Sequence, residues 1–320
     1  MPLKTYLIYT LTGLSLVWTA NQCFKLKGYI DYLKEEAPDC MKPNPNRTEL
    51  IIAAIMIQLC VQYPVQMLSR SLFMSSLPEK FPIGSSLRKE KAEMMAERVY
   101  KFFIYSVTSG GLFFVLKQSN FYHKLLWGDQ EDPQYFSNYP CQKIPKYLDD
   151  IYILKLSYHV YELIYTMGFQ ISRRDFPEYI FHHIITLVLV LFSYSVNFLP
   201  IGAVIMLIHD FPDIFISLFK ITYDIVSSKF QHILAAIMFP LWIYCRIFFF
   251  PVYMIAKYYE QAAHSDHYVI QNVFHILFWF LVGLLLLHCI WTNLIIKGII
   301  NRITNKKKDR VYLQGKDKID

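Results

Sequence analysis

Residues 176–223 read FPEYIFHHIITLVLVLFSYSVNFLPIGAVIMLIHDFPDIFISLFKITY. Two almost wholly apolar runs, 176–196 and 198–220, flank a short Asn197–Pro200 turn. Each is about as long as a bilayer requires. A hydrocarbon core of about 30 Å takes some 20 residues of α-helix at about 1.5 Å per residue. The turn therefore makes two antiparallel membrane-crossing helices. Yet these helices carry His182, His183, His209, Asp210, Asp213 and Lys220. Ionisable groups in hydrocarbon are costly unless they face a cavity or one another, so by default they point to function.

The same length test, applied outward, finds six more stretches, at about 5–24, 50–73, 99–119, 148–170, 232–256 and 272–296. Hydrophobic residues make up 54% of the 320 and charged residues only 18%, against about a quarter in soluble domains. The spans leave no room for a water-soluble domain of ordinary size. The expected fold is all-α, a polytopic integral membrane protein of about eight transmembrane helices. The first stretch contains Tyr6, Tyr9 and Trp18 and lacks a small-x-small cleavage site, which makes it a retained span rather than a signal peptide.

Charge placement orients the spans. With both ends cytosolic, the cytosolic segments carry roughly twice as many Lys and Arg as the luminal ones, as the positive-inside rule requires. The net charge of +7 thus reads as topology. Lys306–Arg310 reads as juxtamembrane charge touching anionic lipid, not as a nucleic-acid site. The sequon Asn46-Arg47-Thr48 falls in a luminal loop, making Asn46 a candidate glycosylation site. Lys316 and Lys318 resemble a dilysine retrieval signal of endoplasmic-reticulum membrane proteins, which is read from the cytosol. Cys40 and Cys141 both lie in luminal loops, where the compartment would permit a disulfide. The connection Ser75–Arg98 turns helical at Arg88–Arg98 and runs into the third span.

Helical spacing puts His209 and Asp213 at i, i+4, and Asp210 and Asp213 at i, i+3. His182 lies about 24 Å from the 197–200 turn and His209 about 16 Å, an offset that tilt or helix breaks at Pro200 and Pro212 would close. Two imidazoles and two carboxylates can thus meet inside the membrane. Imidazole takes protons near neutral pH and can itself accept an acyl group, and a carboxylate can fix its tautomer. Acyl transfer is the leading chemistry. A metal site remains open, though His-His and His-x-x-Asp match no specific zinc spacing, as does structural pairing. His159 and Glu162 could line the same cavity. His275 and His288 are read as facing packed helices or headgroups.

Arg173-Arg174-Asp175-Phe176, the His182-His183 pair, Ser193-Tyr194, Asn197, Gly202 and His209-Asp210-x-x-Asp213 occur in an order that resembles the Lag motif of ceramide synthases, in the TLC-domain superfamily. The chain differs in carrying Phe211 and Pro212 between the aspartates. The resemblance implies a six-helix TLC-type bundle enclosing the active site at 90–300. A two-helix N-terminal region at 1–89 precedes it, and a basic cytosolic tail at 301–320 follows. It implies an acyl-CoA-dependent sphingosine N-acyltransferase of the endoplasmic-reticulum membrane, needing no cofactor beyond acyl-CoA as substrate. His182, His183, His209, Asp210 and Asp213 would be catalytic, with His182 as acyl acceptor or general base. Arg173, Arg174, Lys220, Tyr223, His159 and Glu162 would help bind the acyl-CoA and the sphingoid base, within the lipid bilayer. A homodimer or an accessory subunit is an open expectation. The alternative is a non-enzymatic TLC-domain protein, translocon-associated or lipid-sensing.

Overall fold

A computed structural model describes residues 3–41, 46–171 and 175–303, with side chains from residue 17 to residue 300. Arg173, Arg174 and the tail lysines lie outside the described residues. Eight long rods fall where the eight apolar stretches were expected: α1 (Leu3–Glu36), α2 (Arg47–Ser76), α3 (Ser86–Leu116), α4 (Leu148–Phe169), α5 (Phe176–Ser195), α6 (Leu199–Thr222), α7 (Ser228–Ala263) and α8 (Tyr268–Ile303). Six of these are long and apolar enough to cross a membrane: α2, α3 and α5–α8. Among the described residues α1 and α4 do not reach that standard. In α4 the cause is Asp149, Asp150, Lys155 and Glu162, and Lys155 and Glu162 are turned inward and buried.

The chain is a polytopic membrane protein, and its surface shows it. Ile52, Met56, Leu59, Tyr63, Met67 and Leu72 of α2, and Trp279, Leu286 and Ile290 of α8, are exposed. A soluble protein rarely leaves so large an apolar surface open. Inside, α3, α4, α5, α8, α7 and α6 touch in that cyclic order, α6 also meeting α4 and α5. The α2 rod packs on α3 and α4, and α1 on α8 and α5.

Two end layers fix the register. At one end an Arg88 guanidinium donates to the carbonyls of Met74 (2.7 Å), Phe81 (2.6 Å) and Leu77 (2.7 Å), knitting the 77–85 turn. Ser85 caps α3 by accepting from the Arg88 N–H. Asp224, past the end of α6, is clasped there by Lys80 and Lys91. At the other end Cys40 and Cys141 form a disulfide with Cα atoms 5.0 Å apart. The Asn197 side chain donates to Pro140 O (2.5 Å) and Tyr139 Oη to Val196 O (2.7 Å), so the 117–147 loop is tied onto the α5–α6 turn.

The prolines behave differently from expectation. Pro200 sits in the first turn of α6, where its missing N–H costs nothing, and α6 continues without interruption through Pro212. Distortion falls instead on α7, wound as a π-helix over Ile243–Lys257 with Pro251 inside it. Such winding is rare and tends to mark functional positions. Here it carries Arg246.

A polar cluster inside the helix bundle

The Arg246 side chain organises a group of polar side chains drawn from α6, α7 and α8. Its guanidinium stacks on Trp242, 4.5 Å from the ring centroid. It donates from Nη2 to His209 O (2.7 Å) and to Asp213 Oδ1 (2.9 Å), and from Nη1 to His288 Nε2 (3.0 Å). One planar fork thus joins α6, α7 and α8, a geometry that an ammonium could not reproduce. His209 Nδ1 donates to Ile205 O at 2.6 Å, one turn back. Its Nε2 is left with a lone pair and no protein partner.

The other imidazoles gather on α8. The His209 and His288 rings lie 4.9 Å apart, and Trp291 lies 6.2 Å from His288 and 5.2 Å from His182. His182 and His209, some 8 Å out of register by sequence, are therefore brought to one locus by a third helix. His182 Nδ1 also lacks a protein partner. Buried polar atoms are nearly always hydrogen-bonded, so unpaired imidazole nitrogens on two facing helices mark where something else is meant to bind. His159, His182, His209 and Asp213 each keep part of their surface accessible although they lie inside the bundle, with 27% of the Asp213 side chain open. His159 is close enough to Lys155, His182, His183 and His209 to interact with each electrostatically.

Two further ion pairs stand beside this cluster. Asp210 turns about 100° away from His209 around α6. Its Oδ2 accepts from Lys155 Nζ (2.6 Å) and Thr108 Oγ1 (2.9 Å), tying α6 to α4 and α3. Asp210 and Asp213 therefore do not share a partner: one is held by Lys155, the other by Arg246. Nearer the opposite end from the disulfide, Glu162 lies 3.1 Å from Lys101 Nζ, which also reaches Glu97 (3.3 Å) and donates to Tyr179 Oη (2.6 Å). The Tyr179 ring packs on His183, 4.5 Å away. His183 is thereby linked to the Lys101–Glu162 pair rather than to His209. Lys220 and Tyr223 stand apart. They lie at the end of α6, about 16 and 21 Å from His209 along the helix axis, where Lys91 lies 5.3 Å from the Tyr223 ring. Asn46 is exposed just before α2, in the same end layer as the disulfide.

Sequence reasoning missed Lys101, Lys155, Arg246, Trp291 and Thr108, and it left His288 facing packed helices or headgroups; the residue is fully buried in the cluster. The three cations could have been found: each lies within an apolar stretch, the same signal that singled out the histidines. For His288, no spacing within α8 tells that its face meets His209. Among the described residues no three His, Cys, Asp or Glu side chains are grouped to hold a metal ion; Lys155 and Arg246 take up the carboxylates.

Several motif residues turn out to be scaffold. A Cβ on Gly202 would lie 2.0 Å from Tyr152 Oη, so only glycine lets α4 approach α6 there, and Tyr152 hydrogen-bonds Ser193 of α5. Asn197 has φ +59°, a region that asparagine tolerates better than most residues.

Comparison with known proteins gives the family. Residues 94–297 match the TLC domain family. Ceramide synthase 4 of Mus musculus is 36% identical over 51% of this chain and 40% of its own length, and ceramide synthase 4 of Bos taurus 29% identical over 58% and 46%. Ceramide synthase LOH2 of Arabidopsis thaliana is 26% identical over 71% of this chain and 75% of its own. The chain thus spans about half the length of the mammalian relatives and three quarters of the plant one. With nearly two thirds of its residues inside that match, including every member of the histidine cluster, the chain belongs to the TLC-domain family.

Proposed function

We propose that this protein is a ceramide synthase, transferring a fatty acyl group from acyl-CoA to the amine of a sphingoid base. The observation that supports the reading is that unpaired nitrogens of His182 and His209 lie beside the same stretch of α8, next to Trp291 and His288. The relatives' names point the same way.

In this reading a ring nitrogen of His182 attacks the thioester carbonyl, the C–S bond breaks, and the CoA thiolate leaves and takes a proton. The sphingoid amine then attacks the acyl-imidazole: the amide N–C bond forms, the bond from the carbonyl carbon to the His182 nitrogen breaks, and His182 is restored. His209 Nε2 takes the proton that the amine sheds, its Nδ1–H already directed at Ile205 O. In the direct alternative His182 is the base and no acyl-enzyme forms. Asp213 and Arg246 hold His209 and His288 in place, and His183, Lys101 and Glu162 set the packing of α5. Asp210 supports α6 through Lys155 rather than by touching an imidazole. Lys220 and Tyr223, at the cytosolic end, would meet the CoA portion, together with Arg173 and Arg174. The protein would reside in the endoplasmic-reticulum membrane with its C-terminus cytosolic.

The test supplies membranes of a synthase-deficient cell, expressing the chain, with acyl-CoA and a sphingoid base. Ceramide forms with wild type and falls at least about 10³-fold with His182→Ala at unchanged protein level, a loss of about 4 kcal/mol in barrier lowering. Full turnover by that variant would remove the site assignment, and no ceramide from wild type would remove the function. An acyl adduct on His182, seen by intact-protein mass spectrometry, separates the two routes.

A further inference from the structure

Away from the histidine cluster, a groove of about 680 Å³ runs between α1 and α8 in the half of the bundle that carries the disulfide. Its lining changes character along its length. Lys25, Asn272 and His275 stand at the end nearer the loops, whereas Trp18, Trp279 and Leu286 line the deeper part. Lys25 is exposed and forms no ion pair among the described residues. The deep wall is fixed, since Trp18 packs on Phe280 with ring centroids 5.1 Å apart.

The groove's length identifies its occupant. From Asn272 to Leu286 is about 21 Å along α8, and one leaflet of a bilayer some 40–45 Å thick, headgroups included, is about as deep. A groove with donors at its headgroup end and aromatic and aliphatic walls along its acyl part is shaped for one lipid molecule, standing in its own leaflet. The single unpaired ammonium then selects the headgroup: it attracts a phosphate-bearing anion and repels an amine-bearing base. We infer that the α1–α8 groove binds one anionic phospholipid of the leaflet on the disulfide side, separately from the acyl-transfer site.

The experiment reconstitutes the full chain in nanodiscs of phosphatidylcholine with a minority of phosphatidylglycerol, then counts retained lipid by native mass spectrometry. Wild type should release with one phosphatidylglycerol per chain. Lys25→Glu should retain about 30-fold less, since each basic residue near a headgroup layer contributes about 1 kcal/mol and reversal doubles the change. Lys25→Gln should fall between them. Because Lys25 is exposed, unchanged melting of both variants serves as the folding control. Retention of phosphatidylcholine in preference, equal retention by Lys25→Glu, retention of a sphingoid base instead, or a second copy of the chain in place of lipid would each overturn the inference. None of these readouts depends on ceramide formation.

Discussion

At the scale of single residues, the cluster is governed by three cations that hold carboxylates and leave one nitrogen each of His182 and His209 unpaired. Buried ion pairs are costly to form but more costly to break, because removing one partner strands a charge, a loss of about 3–5 kcal/mol. Asp210→Ala should therefore lower the melting temperature in detergent sharply, and adding Lys155→Met should restore most of it. A double variant as unstable as the single one would show that Asp210 does more than neutralise Lys155. Arg246→Lys keeps the charge and loses the fork that joins His209 O, Asp213 and His288. Turnover should fall about 10²-fold, or about 2.7 kcal/mol, with melting nearly unchanged, as measured by acyl-transfer rate beside thermal unfolding. Wild-type turnover in that variant would reduce Arg246 to a packing role.

At the scale of elements, the long loop between α3 and α4 contains a buried polar feature that responds to pH. His123 is buried against Phe249 and Tyr253, ring centroids 5.5 and 4.8 Å away, and its Nδ1 accepts from the Leu125 N–H at 3.0 Å. Burial, and to a lesser degree the charge of Lys257, hold this imidazole below its usual range. The unfolded ring takes its proton near pH 6.5 and the folded one only at lower pH. The contribution of His123 to stability is thus complete above that value and is lost as pH falls toward the folded value. His123→Asn keeps an acceptor for Leu125 and cannot titrate. Melting temperatures between pH 5 and pH 8 should therefore fall less steeply on acidification in the variant than in wild type; parallel curves would dismiss the idea.

At the scale of the whole molecule, the Cys40–Cys141 bond closes a loop of 101 residues that includes α2 and α3. In the chain-entropy account a loop of about that size is worth about 4.7 kcal/mol, and measured values are more often 2–4. Cys141→Ser should lower the non-reduced melting temperature, and added reductant should bring wild type to the same value. If reductant leaves wild type unmoved, the bridge does not form. The bond also places Cys40 and the 117–147 loop on one side of the membrane, the side on which Asn46 stands.

How much of this could be read in advance follows from what each feature depends on. Span length and apolar content are local properties, because hydrocarbon forces every backbone group to bond within its own helix. The eight rods, their connections and the motif residues on α5 and α6 were therefore legible one segment at a time. Which faces meet is not local. His288 and Arg246 join the site only because α7, π-wound past Ile243, packs on both α6 and α8 and brings His288 to His209. Asp210 and Asp213, three residues apart, part company because Lys155 and Arg246 draw them to different neighbours. By itself the sequence determined that the chain crosses a membrane many times and places imidazoles inside it. Only tertiary packing decided which of those imidazoles lack partners, since hydrogen bonding there depends on side chains distant along the chain.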